Sequence, residues 1–321
     1  MNTPDLHSAL AEPIDNFVQY KRALNRKYHT EAAALRLFDR YLCERGANWE
    51  SIDGGLVDDF LKSRPRTRAR SYNHLASVLR CFFEWAVVQR LTKRNPVSAK
   101  PRRETSKRIP YLFDLSDAKR LLGVVRTLPD NPRAPHRALV YETVFALLYG
   151  LGLRVGEVAR LKMGDLDLTQ DTLFIRKTKF SKSRIVPLGP KLAERLRRYV
   201  EERHGGTPEP EAPLFSFTKR GCIHEGTISQ TFHKLIPRLG LHIPPGVSPP
   251  RVHDLRHSFA VGTLLRWYRE GIDPNGRLMH LATFLGHTDP NSTAVYLTVT
   301  GELLREADRR FRAFAPTGGV Q

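Results

Sequence analysis

Cysteine is scarce, with three in 321 residues: Cys43, Cys81 and Cys222. The count is odd, and no CxxC or Cys/His pairing accompanies it, which argues against a disulfide framework or a zinc site and fits a reducing cytoplasm. No apolar run approaches the length of a membrane span. The opening residues, MNTPDLHSALAEPIDNF, lack a basic region followed by an apolar core, so no secretory signal is expected. Clustered carboxylates are missing too. Asp165 and Asp167 read as turn residues, which disfavours a two-metal nuclease, and no metal or cofactor is expected.

Cations are abundant instead. Lys and Arg number 52 against 33 Asp and Glu, a net charge of +19, and the pI is about 10.2. Residues 1–110 hold 21 Lys and Arg against 12 Asp and Glu, and the remainder 31 against 21. The excess is therefore no single basic tail. A broad positive field suits a polyanion, with a membrane surface as the competing reading. Its spread over both halves suggests a clamp more than a patch. Hydrophobic residues at 40% and charged residues at 26% describe a soluble globular chain, long enough for two cores.

Residues 1–100 read as a small helical domain. Phe17 and Tyr20 begin one amphipathic stretch. Thr30 is the expected N-cap of a second, carrying Ala33, Leu37, Phe38, Tyr41 and Leu42, with Gly46 past its end. Leu56, Val57, Phe60 and Leu61 mark a third before Pro65. The fourth runs from about Arg68 to Arg90, with Tyr72, Leu75, Leu79, Phe82 and Ala86 as its core stripe; Phe83 and Trp85 fall off that stripe, toward a neighbouring helix. Arg64, Arg66, Arg68 and Arg70 alternate at a loop and helix N-terminus, a poor place for cations unless a phosphate relieves them. A solvated basic loop explains them equally well. Residues 92–110 carry seven Lys and Arg and three Pro, which reads as a basic interdomain linker, with the boundary set at 101–112. Lys100, Arg102 and Arg103 there could lie along a DNA backbone.

A second domain is expected over 113–321. Ser116 is the expected N-cap of its first helix, and an apolar helix spans about 134–149. Gly150 and Gly152 end it, and Arg154 follows at the entry to a helix with Val155, Val158 and Leu161. Thr172–Arg176 and Arg184–Leu188 read as strands flanking Lys177-Thr178-Lys179-Phe180-Ser181-Lys182-Ser183, a hairpin with a basic turn. Residues 190–204 are an amphipathic helix and 205–213 a loop. Thr227–Leu239 is another helix, either a plain surface element or one that approaches the DNA major groove.

The most informative stretch is Arg251 to Tyr296. A helical pattern begins at His253, with Leu255, Phe259, Ala260, Thr263, Leu264 and Trp267 as its apolar stripe. His253 and Arg256, three apart, stand on one face and could receive an anion such as phosphate. Gly286-His287 closes a second apolar run of Leu278, Leu281, Phe284 and Leu285, and Tyr296 follows nine residues later. Singly, each piece has an ordinary explanation: a solvated helix start, a C-cap with a cation at the negative helix end, a half-buried tyrosine.

Together, HDLRH at 253–257, LGH at 285–287 and Tyr296 resemble the signature of the tyrosine recombinases, the phage integrase and Xer-type family. Gly152-Leu153-Arg154-Val155-Gly156-Glu157 resembles the family's first arginine motif, and TKxxKxRxVPL resembles its lysine hairpin. The resemblance implies a mainly α fold with a small β-sheet or hairpin (α+β). It also implies a helical core-binding domain and a catalytic domain closing as a C-shaped clamp on DNA. Residues 1–100 match the core-binding domain only in size and helical content.

The same resemblance implies roles. Tyr296 would attack a DNA phosphate, leaving a 3′-phosphotyrosyl bond and a free 5′-hydroxyl without metal or ATP. Arg154 and Arg256 would hold the phosphate oxygens, with His287 as a further donor. His253 would accept the tyrosine proton, and nearby arginines should lower that tyrosine's pKa. Lys179 would protonate the leaving oxygen, with Lys177 and Lys182 as alternatives in that turn. Glu157 and His257 would support the site. Arg66, Arg68, Arg70, Lys100, Arg102, Arg103, Lys177 and Lys182 are candidate DNA contacts. The implied partners are double-stranded recombination sites and three further copies of the chain, joined through the apolar face of 301–314. Accessory recombinases or DNA-bending proteins would complete the assembly, in the cytoplasm on the bacterial nucleoid. The longer segment Trp267–Met279 suggests a mobile-element enzyme. A type IB topoisomerase and a catalytically silent DNA-binding regulator of the same fold are the alternatives.

Overall fold

Helices dominate the computed structural model, which describes residues 6–103, 108–176, 183–205, 209–217 and 221–287, together with 293 and 296. The chain divides into two compact units, Met1–Lys107 and Arg108–Gln321. Each has its own apolar core.

The first unit is built from α1 (Ala11–Ala23), α2 (His29–Glu44), α3 (Gly54–Ser63) and α4 (Ala69–Val88). Its core is aromatic. Phe17 of α1 meets Phe82 and Trp85 of α4, while Phe38 of α2 meets Phe60 of α3 and Phe83 of α4. Phe83 and Trp85 thus serve the neighbouring helices, as their position off the main stripe implies. α3 begins at an Asp53 cap whose side chain accepts from the Leu56 N–H. Thr30 is not the cap of α2. That helix begins two residues earlier than such a cap would allow, after Tyr28 in the left-handed region, whose side chain makes no cap hydrogen bond. The chain after α4 folds back onto it. Arg80 donates to the Ala99 carbonyl at 2.6 Å, and Asn73 exchanges hydrogen bonds with the Arg102 backbone.

The second unit contains α5 (Leu115–Arg126), α6 (Arg137–Gly150), α7 (Val155–Ala159), β1 (Leu166–Asp167), β2 (Thr172–Ile175), β3 (Arg184–Pro187), α8 (Pro190–His204), α9 (Glu225–Leu235), α10 (Asp254–Arg269) and α11 (Pro274–Leu285). Asp114, not Ser116, caps α5, accepting from the Asp117 N–H. The helix starts two residues earlier because an aspartate there reaches the free amides first. The strands form one antiparallel sheet in the order β1-β2-β3. β2 and β3 pair with Leu173 opposite Val186 and Ile175 opposite Arg184, so Leu173 and Val186 face the core. β1 was not expected. It is two residues long, too short for alternation to register.

α6 is the central element of this core. Nine of its residues, from Val140 to Leu148, are buried all round, the pattern of a helix enclosed on every side. α5, α8 and α10 pack on it. The end of α6 thereby becomes a fixed point on which α10 and α11 converge.

Candidate active site

The site is assembled at the turn after α6. Gly152 has φ +59°, and a Cβ there would stand 2.6 Å from the Phe259 ring of α10 and 2.9 Å from Leu285 of α11. Only glycine allows both the left-handed turn and that approach. Two residues on, Arg154 occupies the N-cap position of α7 in extended conformation. Glu157 folds back from the first turn of α7, accepting from the Arg154 backbone N–H at 3.0 Å and from its guanidinium at 2.7 Å. A second Arg154 nitrogen donates to the Gly286 carbonyl at 2.9 Å. Its side chain stays 29% exposed.

Arg256 enters from α10 and is 1% exposed. It donates to the Gly152 carbonyl at 2.6 Å and to the Leu285 carbonyl at 2.7 Å, tying the turn after α6 to the end of α11. Burial, then the neighbouring Arg154, pull its pKa down to about 10, so it stays charged at neutral pH. Among the described residues no carboxylate lies within ion-pair distance of it. Its partners among the described residues are two carbonyls and the Tyr296 phenol, so the buried cation is short of a countercharge.

α11 stops at Gly286, where φ is +68°, and the His287 N–H reaches back to the Ala282 carbonyl at 2.8 Å. This Gly-His end is a helix C-cap that also delivers an imidazole. His287 shares a 2.6 Å hydrogen bond with the Thr293 hydroxyl, and its ring stacks at 6.3 Å on that of Tyr296. Tyr296 is 5% exposed. Its hydroxyl lies 3.0 Å from Nδ1 of His257. His253 stands at the exposed start of α10, edge-on to His257 with ring centroids 4.8 Å apart.

Arg154, Glu157, Arg256, His257, His287 and Tyr296 therefore share one locus, with His253 at its rim. The imidazole in contact with the phenol is that of His257, with His253 edge-on to it. The tyrosine pKa is raised, where a lowered one was expected: burial outweighs the pull of Arg256 and Arg154. Burial, with surrounding cations adding to it, pushes His257 and His287 down to about 4, leaving both neutral at pH 7.

Lys177, Lys179 and Lys182 lie outside the described residues, as does 301–314. Arg66, Arg68, Arg70, Lys100, Arg102 and Arg103 belong to the first unit. Arg68 takes the N-cap position of α4 and, like Arg70, is exposed. The Arg102 guanidinium is partly engaged: it donates to the Arg66 carbonyl at 3.0 Å and lies over the Tyr72 ring at 3.8 Å.

One residue of the site carried no expectation. Arg184 opens β3, and its guanidinium donates to both oxygens of Glu157, at 3.1 and 2.9 Å. A signal existed in the strand period. Arg184 lies two residues before Val186, hence on the core face, where an arginine requires a partner.

The second unit is mainly helical with a three-stranded sheet, and it brings two arginines and a buried phenol to one locus. The model described as "Phage integrase family" matches residues 113–302, and the chain belongs to that family, the tyrosine recombinases. A Sinorhizobium fredii protein named "Putative integrase/recombinase y4rE" is 33% identical over 303 residues, 94% of this chain and 95% of its own length. Its y4rB counterpart is 39% identical over 204 residues, 63% of this chain and 65% of that protein. Tyrosine recombinase XerA of Thermococcus kodakarensis is 31% identical over 75% of both chains. In fold, the chain resembles a solved lambda integrase(75-356) dimer bound to a COC' core site. That likeness has a TM-score of 0.67 at 19% identity, over 90% of this chain and 95% of that one.

Proposed function

We propose that this protein is a site-specific DNA recombinase that cleaves and rejoins strands through a covalent tyrosine intermediate. The observation that carries the reading is Arg256, a buried guanidinium lacking a carboxylate partner among the described residues, beside Arg154 and the Tyr296 phenol. A backbone phosphate supplies the missing negative charge. Guanidinium binds two oxygens at once and keeps its charge as the equatorial oxygens gain more in the transition state.

In the reaction Tyr296 Oη attacks phosphorus, a P–Oη bond forms and the bond to the 5′-oxygen breaks. The phenolic proton passes to an imidazole, His257 by contact or His253 after a shift of the tyrosine. Lys179, or a neighbouring lysine of the same hairpin, returns a proton to the 5′-oxygen. The phosphodiester energy is held in the tyrosyl bond, so rejoining needs neither ATP nor metal. The exposed cations of the first unit, Arg68 and Arg70 among them, contact the duplex backbone and add affinity without sequence. Exchange between two duplexes calls for a homotetramer, with 301–314 as the proposed contact between copies. Integration, excision or transposition of a mobile element is the favoured role, since y4rE, integrase/recombinase by name, matches nearly end to end.

A nicked suicide duplex tests the reading. Duplexes tiled across the DNA flanking the gene, each nicked beside a candidate cleavage point, should trap the protein covalently. Tyr296→Phe should trap none. Trapping without recombinant product from paired sites would favour a topoisomerase, and binding without trapping a silent regulator.

A further inference from the structure

Arg184 makes three side-chain hydrogen bonds in the second unit and holds none of the roles given above. Its side chain is 8% exposed although it starts a strand in a three-stranded sheet. Nη1 and Nη2 meet Oε1 and Oε2 of Glu157 in a bidentate pair, and Nε donates to the Phe284 carbonyl at 2.7 Å. A Cβ on Gly286 would stand 2.7 Å from its guanidinium, so α11 ends directly against it. Glu157 and this end of α11 are also the two places that hold Arg154, through Glu157 Oε1 and the Gly286 carbonyl.

Arg184 is thus bonded to both supports of the half-buried Arg154, the proposed phosphate ligand, while itself almost fully enclosed. Burial alone would raise the Glu157 carboxyl. The hydrogen bonds and charge of Arg184, followed by those of Arg154, hold it at about 2 instead. A carboxylate serving Arg154 alone could follow that side chain as it moved. Clamped from β3, it cannot. The clamp also fixes the residues immediately before His287, so a second phosphate donor is set by the same guanidinium.

We infer that Arg184 is a positioning residue that sets Arg154 and His287 for the transferring phosphate by bridging Glu157 to the end of α11. This rests on the strand-transfer reading. The prediction is specific to the phosphate rather than the leaving group, although the lysines of 177–182 precede the same strand in sequence. Lysine at 184 keeps the charge but cannot bind both carboxylate oxygens in a planar fork. A shift of about 1 Å in a positioning contact costs roughly 100-fold in rate.

The experiment uses the suicide duplex with either oxygen or sulfur as the bridging 5′ atom, since a thiolate leaves without a proton donor. Arg184→Lys should form adduct about 100-fold more slowly than the parent with both atoms. Glu157→Gln should be slowed as well, and the double variant should be little worse than either single one, because both act through one contact. Rescue of Arg184→Lys by sulfur would move its role to the leaving group and overturn the inference, as would an undiminished rate or additive losses. Slowing that disappears once both proteins are assayed well below their melting temperatures would make the residue merely structural. No adduct from the parent would instead overturn the strand-transfer reading and the inference with it.

Discussion

At Tyr296 two influences oppose each other. Burial raises the phenol's pKa, and the arginines that would stabilise the reacting phosphate lower it less. Its hydroxyl rests on a neutral His257. The histidines carry a consequence for the free protein. Their folded pKa values, about 4 for His257 and His287, lie below the usual value near 6.5. Between those pH values the unfolded chain binds more protons, so stability falls as pH drops from 6.5 toward 4 and is constant in this respect above 6.5. The loss should be roughly 1–2 kcal/mol per imidazole after allowance for solvent screening. Urea midpoints across pH 4–7 measure it. His257→Gln, which keeps a polar contact but does not titrate, should show a shallower decline than the parent; an identical decline would remove His257 from this account.

Among the elements, the turn after α6 bears most of the geometry. Its carbonyl at Gly152 receives Arg256, and its glycine admits Phe259 and Leu285. Gly152→Ala should cost about 2–4 kcal/mol, summing a left-handed Cβ penalty with overpacking against α10 and α11. Gly262 supplies the contrast. It lies within α10 with nothing inside 4 Å of a built Cβ, so Gly262→Ala should stabilise by up to about 1 kcal/mol. Thermal melts of the two variants should move in opposite directions. If both fall equally, steric closure at the turn is not what limits position 152.

For the whole molecule the relevant quantity is charge. A net +19 spread over both units predicts DNA affinity that falls steeply with salt. Arg68→Ala should reduce the slope of log K against log salt by about 1, with a similar loss on unrelated sequences, as expected of a phosphate contact. Arg102→Ala should reduce it less, because that guanidinium is partly spent on the Arg66 carbonyl and the Tyr72 ring. Titrations at several salt concentrations on matched and random duplexes decide this. Equal slopes for parent and Arg68→Ala would remove that residue from the interface.

Hydrophobic period and helix-end chemistry were enough to read the helices, the β2–β3 pair and the C-cap at Gly286 from the sequence, because each depends on neighbours within a few residues. Motif order alone also nominated Arg154, Arg256, His287 and Tyr296, which are far apart in the chain but recur in one family. Local patterns misjudged the starts of α2 and α5, where the competing cap positions are only two residues apart, and missed the two-residue β1. Long-range packing decided the rest. Which imidazole meets the phenol depends on where Tyr296 is brought against α10. Whether a tyrosine beside two arginines ionises more or less easily depends on how completely it is buried. That Arg184 belongs with Glu157, 27 residues earlier, and with the end of α11, 100 residues later, follows from a strand, a short helix and a helix end meeting in space, and spacing names none of those partners.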